Sequence, residues 1–79
     1  MARVLMFGAL AEAAGWRERV IDAGSLDALR ALLAADDAGL GERLSGPGTC
    51  AILNAEMVRG DRPLSAADEV AFIPPVSGG

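Results

Sequence analysis

One periodic stretch constrains the fold of this 79-residue chain more than any other feature. Leu26, Leu29, Leu32 and Leu33 fall at i, i+3, i+6 and i+7, which draws one apolar stripe along a helix. Ser25 stands where an N-cap belongs, and Asp27 lies in the first turn, where a negative charge meets the helix dipole favourably. Asp27, Arg30 and Ala34 fall on the other side, and the helix is expected to end near Asp36 or Asp37. The remaining apolar runs, at 3–7, 16–21, 49–53, 57–59 and 69–73, are short and read as strands. A single long helix cannot cover both faces of five strands. The chain is therefore expected to be an α+β fold, 1–79, with one sheet face packed on the helix and the other face covered or exposed.

The connections are short. Gly8 breaks the first strand, 9–14 suits a helical turn or two, and Gly15 is placed to cap it. Leu40 to Leu44 suggests another short turn, and Ser45-Gly46-Pro47-Gly48 a loop. Asn54-Ala55-Glu56 turns the chain, residues 60–64 are irregular, and 65–68 allow one turn with capping-box spacing. Side chains alternate between faces along a strand. Val70 and Phe72 then face one way, Ala71 and Ile73 the other. With Val4 and Met6 toward the helix, Leu5 and Phe7 point outward, and Met57 and Arg59 lie opposite Val58. Phe7, Met57 and Ile73 are thus candidates for an exposed apolar patch and a partner surface. The alternative is that loops cover them as ordinary core residues.

What the chain lacks narrows its chemistry. It has no His, so the usual general base near neutral pH is absent. With one Cys, Cys50, it offers too few ligands for a zinc or iron–sulfur site, and it cannot form an internal disulfide. That pattern fits a reducing, cytoplasmic setting. All seven basic residues are Arg, against eleven acids and a net charge of −4, so neither nucleic acid nor an anionic membrane is an expected partner. No apolar run approaches the roughly 20 residues of a membrane span. The first seven residues lack the length and cleavage site of a signal peptide and read as a strand. No lysine is present for a Schiff base or for an isopeptide bond on this chain. Such a chain is not expected to be a complete enzyme, nor to bind a metal or cofactor of its own.

The end of the chain supplies what the body lacks. The strand at 69–73 runs into Pro74-Pro75-Val76-Ser77-Gly78-Gly79. Prolines lack N–H donors and hold φ near −65°, so they end a sheet and stiffen what leaves it. Two glycines present a carboxylate with no neighbouring side chain and can adopt φ values closed to other residues. Six extended residues reach about 20 Å, enough to enter a neighbouring active site.

The runs Arg3-Val4-Leu5-Met6-Phe7-Gly8, the leucine helix, Asp61-Arg62-Pro63-Leu64 and the ending Asp68-Glu69-Val70-Ala71-Phe72-Ile73-Pro74-Pro75-Val76-Ser77-Gly78-Gly79 resemble the MoaD/ThiS family of ubiquitin-like sulfur carriers, and within it the molybdopterin synthase branch. The resemblance spans essentially the whole chain, and Asp-Glu-Val-x-x-x-Pro-Pro-Val-x-Gly-Gly is its specific part. It implies a β-grasp fold, a mixed five-stranded sheet holding one main helix, with the first and last strands adjacent and parallel and a flexible tail at 74–79. It also implies that a MoeB-like enzyme adenylates Gly79 with ATP, that a persulfide donor converts it to a thiocarboxylate, and that Gly78 serves access. A MoaE-like large subunit, in a heterotetramer of two small and two large chains, would receive the tail and pass sulfur to cyclic pyranopterin monophosphate. Phe7, Met57, Ile73, Pro74, Pro75 and Val76 would then form the partner surface.

Other functions fit the same features. One is a sulfur carrier for thiamine, a thiolated tRNA or cysteine. Another is a ubiquitin-like modifier that joins Gly79 to target lysines, although a chain without lysine cannot form lysine-linked polymers of itself. A third is a β-grasp binding module with no carrier role. Cys50 reads as a buried strand residue, Trp16 as a packing residue, and Asp36-Asp37 and Asp68-Glu69 as solvated turn residues. Arg59 and Arg62 could meet acidic partner groups.

Overall fold

In the computed structural model, which describes residues 1–75, alternation along the strands separates two faces of one sheet. The strands are β1 (Ala2–Met6), β2 (Glu18–Ile21), β3 (Cys50–Leu53), β4 (Glu56–Val58) and β5 (Glu69–Ile73). Val4, Met6, Ala51, Val70 and Phe72 point inward and are all but fully buried. The order is β2-β1-β5-β3-β4. β1 and β5 pair in parallel, and the other pairings are antiparallel. This is the mixed β-grasp sheet that the sequence led us to expect, with β5 at its centre. The readings made for Val76, Ser77, Gly78 and Gly79 lie outside the described residues.

Three helices, rather than one, face the sheet: α1 (Gly8–Ala14), α2 (Leu26–Asp36) and α3 (Ala38–Ser45). The Ser25 hydroxyl accepts from the Ala28 amide at 3.0 Å and starts α2. The Asp61 carboxylate, far along the chain, accepts from the Asp27 amide at 2.9 Å and satisfies a second free donor of that first turn. Asp37 ends α2 and caps α3, its side chain accepting from the Leu40 amide at 3.1 Å. Gly15 closes α1 in the left-handed conformation, as its position in the sequence indicated.

Two details of α2 depart from the sequence reading. Leu26, Leu29 and Leu33 are buried, but Leu32 is 48% exposed. At about 100° per residue, Leu32 sits about 120° around the helix from Leu26, beyond the buried stripe. Ala34 is half-buried, not on a solvated side, because α3 crosses there. A Cβ added to Gly41 of α3 would collide with the Ala34 side chain and lie 2.8 Å from its Cα, so only glycine permits this helix approach. The strand bounds also shift. β2 begins at Glu18, leaving Trp16 to pack half-buried on the core under the Arg19 guanidinium at 5.2 Å. β4 starts at Glu56 and stops before Arg59.

The β3–β4 hairpin turns on two residues, Asn54 and Ala55, both with positive φ (49° and 69°). That backbone matches the twist of the strands, but an alanine there costs roughly 1 kcal/mol. Ala55→Gly is expected to raise stability by up to about 0.6 kcal/mol after the added unfolded-state entropy is subtracted, a gain of a few degrees in Tm at most. A thermal melt with an unchanged or lower midpoint would contradict the strain argument. Asn54 also ties the hairpin to β5. Its side chain donates to Asp68 and accepts from the Glu69 amide, each at 2.9 Å. The Ser65 amide and then the Asn54 side chain hold the Asp68 carboxyl below its ordinary value.

Candidate functional site

The exit of the tail is built from the two strands that flank β5. Pro74, half-buried, and Pro75, exposed, leave its C-terminal end between the first residue of α1 and the loop before β3. Gly8 adopts φ +52°, and a Cβ on it would lie 3.2 Å from Pro74 Cγ. Gly48 adopts φ +85°, and a Cβ on it would lie 2.7 Å from Pro75 Cβ. The Gly48 loop is held by the Thr49 hydroxyl, which donates to Arg43 O at 2.9 Å, and by the Cys50 thiol, which approaches Gly48 O at 3.6 Å. A cavity of about 200 Å³ opens beside the prolines, lined by Ala9, Leu10, Pro47 and Thr49 with Arg43 at the wall.

The sheet face turned away from the helices carries an apolar surface in register. Leu5, Ala71, Ile52 and Met57 form one row across β1, β5, β3 and β4. Cys50 and Ile73 form the next row toward the tail. The Phe7 amide donates to Phe72 O at 3.2 Å, which extends the β1–β5 ladder and sets Phe7 beside Ile73. Met57 is 58% exposed and Phe7 45%, while Ile73 is half-buried between its strand neighbours. The structure thus brings Phe7, Ile73 and Met57 onto one face, adjoining Pro74. At the opposite end of this face Arg3 pairs with Glu69 at 2.8 Å and Glu18 at 3.5 Å. These pairs are solvated, and such pairs contribute about 1 kcal/mol or less. They make a polar rim.

Among the described residues no group of three or more His, Cys, Asp or Glu could hold a metal ion, and no helix is long and apolar enough to cross a membrane. Arg59 and Arg62 are exposed, and the Arg62 guanidinium donates to the Arg59 and Asp61 carbonyls at 2.9 Å. Gly8 and Gly48 escaped sequence reasoning as site residues. Their sequence signal was only a strand end and a Pro-Gly loop.

Comparison with known proteins agrees with this architecture. The family model described as "ThiS family" matches residues 4–79. The molybdopterin synthase sulfur carrier subunit of Escherichia coli (strain K12) is 37% identical over 81 aligned positions, covering 100% of both chains. The solution structure of small archaeal modifier protein 1 from Methanosarcina acetivorans superposes with a TM-score of 0.86 at 22% identity, covering 99% of this chain and 95% of that one, a likeness of fold. A chain in the complex of subunits 1 and 2 of molybdopterin-converting factor from Helicobacter pylori 26695 superposes with a TM-score of 0.71 at 26% identity, covering 99% and 97%. The β-grasp sheet, the match across residues 4–79 and the full-length similarity together establish that this chain belongs to the ThiS family, the MoaD/ThiS group its ending resembles.

Proposed function

We propose that this chain is the sulfur-donating small subunit of a cytoplasmic molybdopterin synthase. One observation carries the reading. A chain 37% identical along its full length to such a carrier has Gly78-Gly79 separated by two residues from a proline pair that follows the central strand of its sheet.

The chemistry follows from what a C-terminal carboxylate can and cannot do. Ionised at neutral pH, it is a poor electrophile. A MoeB-like enzyme would let a Gly79 carboxylate oxygen attack the α-phosphorus of ATP, with pyrophosphate leaving, to give an acyl-adenylate. The terminal sulfur of a persulfide then attacks the carbonyl carbon, AMP departs, and an acyl disulfide forms. A thiol cleaves that disulfide, its sulfur ending in a new disulfide with the donor, and leaves the Gly79 thiocarboxylate. In a MoaE-like large subunit this sulfur would form a bond to a carbon of cyclic pyranopterin monophosphate as that carbon's bond to oxygen breaks and the oxygen leaves with a proton or with the phosphate. Water then cleaves the acyl–sulfur bond and restores the carboxylate. The acid and base groups belong to the partners, consistent with a chain that has no His and no Lys. The H. pylori relative, in a complex of subunits 1 and 2, supports a large-subunit partner, here in a heterotetramer of two small and two large chains.

Top-down mass spectrometry after incubation with a MoeB-class enzyme, ATP and a persulfide source tests the reading. The expected product carries one oxygen exchanged for sulfur at Gly79. That mass change nearly equals addition of oxygen, and the chain holds three Met, so fragmentation must place it at the C-terminus. A mass gain confined to methionine, or higher-mass conjugates in place of the thiocarboxylate, would reject it.

A further inference from the structure

We infer that Gly8 and Gly48 are positioning residues, a two-sided cradle that sets the direction in which the tail leaves the body. The inference deepens the carrier reading and rests on it. β5 lies between β1 and β3, so its end is flanked by the first residue of α1 on one side and by the loop before β3 on the other. Both flanking positions are glycines with positive φ, +52° at Gly8 and +85° at Gly48. At both, a side chain would meet a proline: Pro74 Cγ at 3.2 Å from a Cβ on Gly8, Pro75 Cβ at 2.7 Å from a Cβ on Gly48. The first distance asks a ring to give a little. The second is closer than real Cβ contacts come, so Pro75 or the Gly48 loop must shift and the spacing between them changes.

Proline makes that movement matter. Its φ is fixed near −65°, so a displaced Pro75 cannot be corrected by rotation about its own N–Cα bond and redirects the chain after it. Reaction at a chain end demands placement within a fraction of an ångström, and a misplacement of about 1 Å can cost a factor of about 100. The cradle borders the face that would dock a partner, since Gly48 and Met57 line one shallow pocket, so delivery and affinity are read apart, as kcat and KM.

Gly15 provides the control. It has φ +83°, nearly that of Gly48, but nothing lies within 4 Å of a Cβ there. Gly15→Ala and Gly48→Ala carry the same backbone penalty, and only the second touches the tail. Each full-length variant would be turned over by a MoeB-class enzyme with ATP and assayed by pyrophosphate release. Gly48→Ala is expected to lower kcat at least about tenfold with KM within about twofold, while Gly15→Ala matches the parent and both lose similar Tm. Gly48→Asn, whose side chain tolerates left-handed φ but keeps the Cβ, should lower kcat like the alanine variant with a smaller Tm loss. Equal kcat for Gly48→Ala and Gly15→Ala would overturn the inference. A second arm does not depend on activity. The parent should give a nuclear Overhauser effect between Gly48 and Pro75, and Gly48→Ala should shift the Val76 amide where Gly15→Ala does not. Absence of either overturns the cradle even if the carrier chemistry holds. A parent with both signals but no turnover keeps the cradle and rejects the carrier reading.

Discussion

Lengthening the chain by one residue beyond Gly79 is expected to abolish sulfur loading and leave the melting curve unchanged. Gly79→Ala should reduce loading at least about 100-fold in the same assay. An added residue moves the carboxylate about 3.4 Å from where the glycine carboxylate is received. The alanine keeps the carboxylate in place but adds a Cβ beside it and closes most positive φ values. In either case the body should be indifferent, because among the described residues the buried core runs from Val4 to Phe72 and includes neither proline. Mass spectrometry of the loaded protein and a thermal melt measure the two halves separately. A Gly79→Ala protein that gains sulfur at the parental rate would sink the access argument. One that fails to load because it has unfolded would contradict the independence of tail and body.

The parts of this fold legible in the sequence were those in which one residue's neighbours lie nearby in the chain. Leu26, Leu29 and Leu33 repeat at helical spacing, and Val70 and Phe72 alternate with Ala71 and Ile73, so periodicity alone assigns their faces. Ser25 and Gly15 sit at the ends their chemistry favours. Leu32 was misassigned because a leucine six residues from the start of a stripe matches composition but not angle. Ala34 was misassigned because its partner is Gly41 on a helix expected to be only a turn. The Asp61 cap on α2 joins segments separated by α3 and two strands, and no local signal announces it. The cradle is the clearest case. Gly8 and Gly48 read locally as punctuation, and their contact with Pro74 and Pro75 arises only when β5 inserts between β1 and β3. Sequence named the group that would carry sulfur. Topology was needed to find what aims it.

Phe7→Asp is expected to stabilise the free protein and to weaken its hold on the large subunit. Phe7 is the N-cap residue of α1, in extended backbone with no side-chain cap hydrogen bond. Aspartate is among the best residues at this position, and the gain over an uncapped one is about 0.5–1 kcal/mol. Stability alone would therefore not select a phenylalanine that is 45% exposed. Its place beside Ile73, at the tail end of the apolar face, gives the alternative reason for it. If that face is covered by the partner, an aspartate there is buried without a counter-ion, and loss of the aromatic anchor alone costs about 2 kcal/mol or more, roughly 30-fold in Kd. Met57→Asp, 58% exposed in the adjacent row, should weaken binding similarly with little change in Tm. Leu32→Asp makes the same chemical change at a comparably exposed leucine on α2, behind the sheet, and should leave binding untouched. Isothermal titration against a MoaE-like subunit and a melt of each free variant decide the matter. Equal loss at Leu32 and Met57 would mean that net charge, not the sheet face, governs association. A higher Tm together with a lost complex at Phe7 would show that this position gives up helix capping to keep a docking surface.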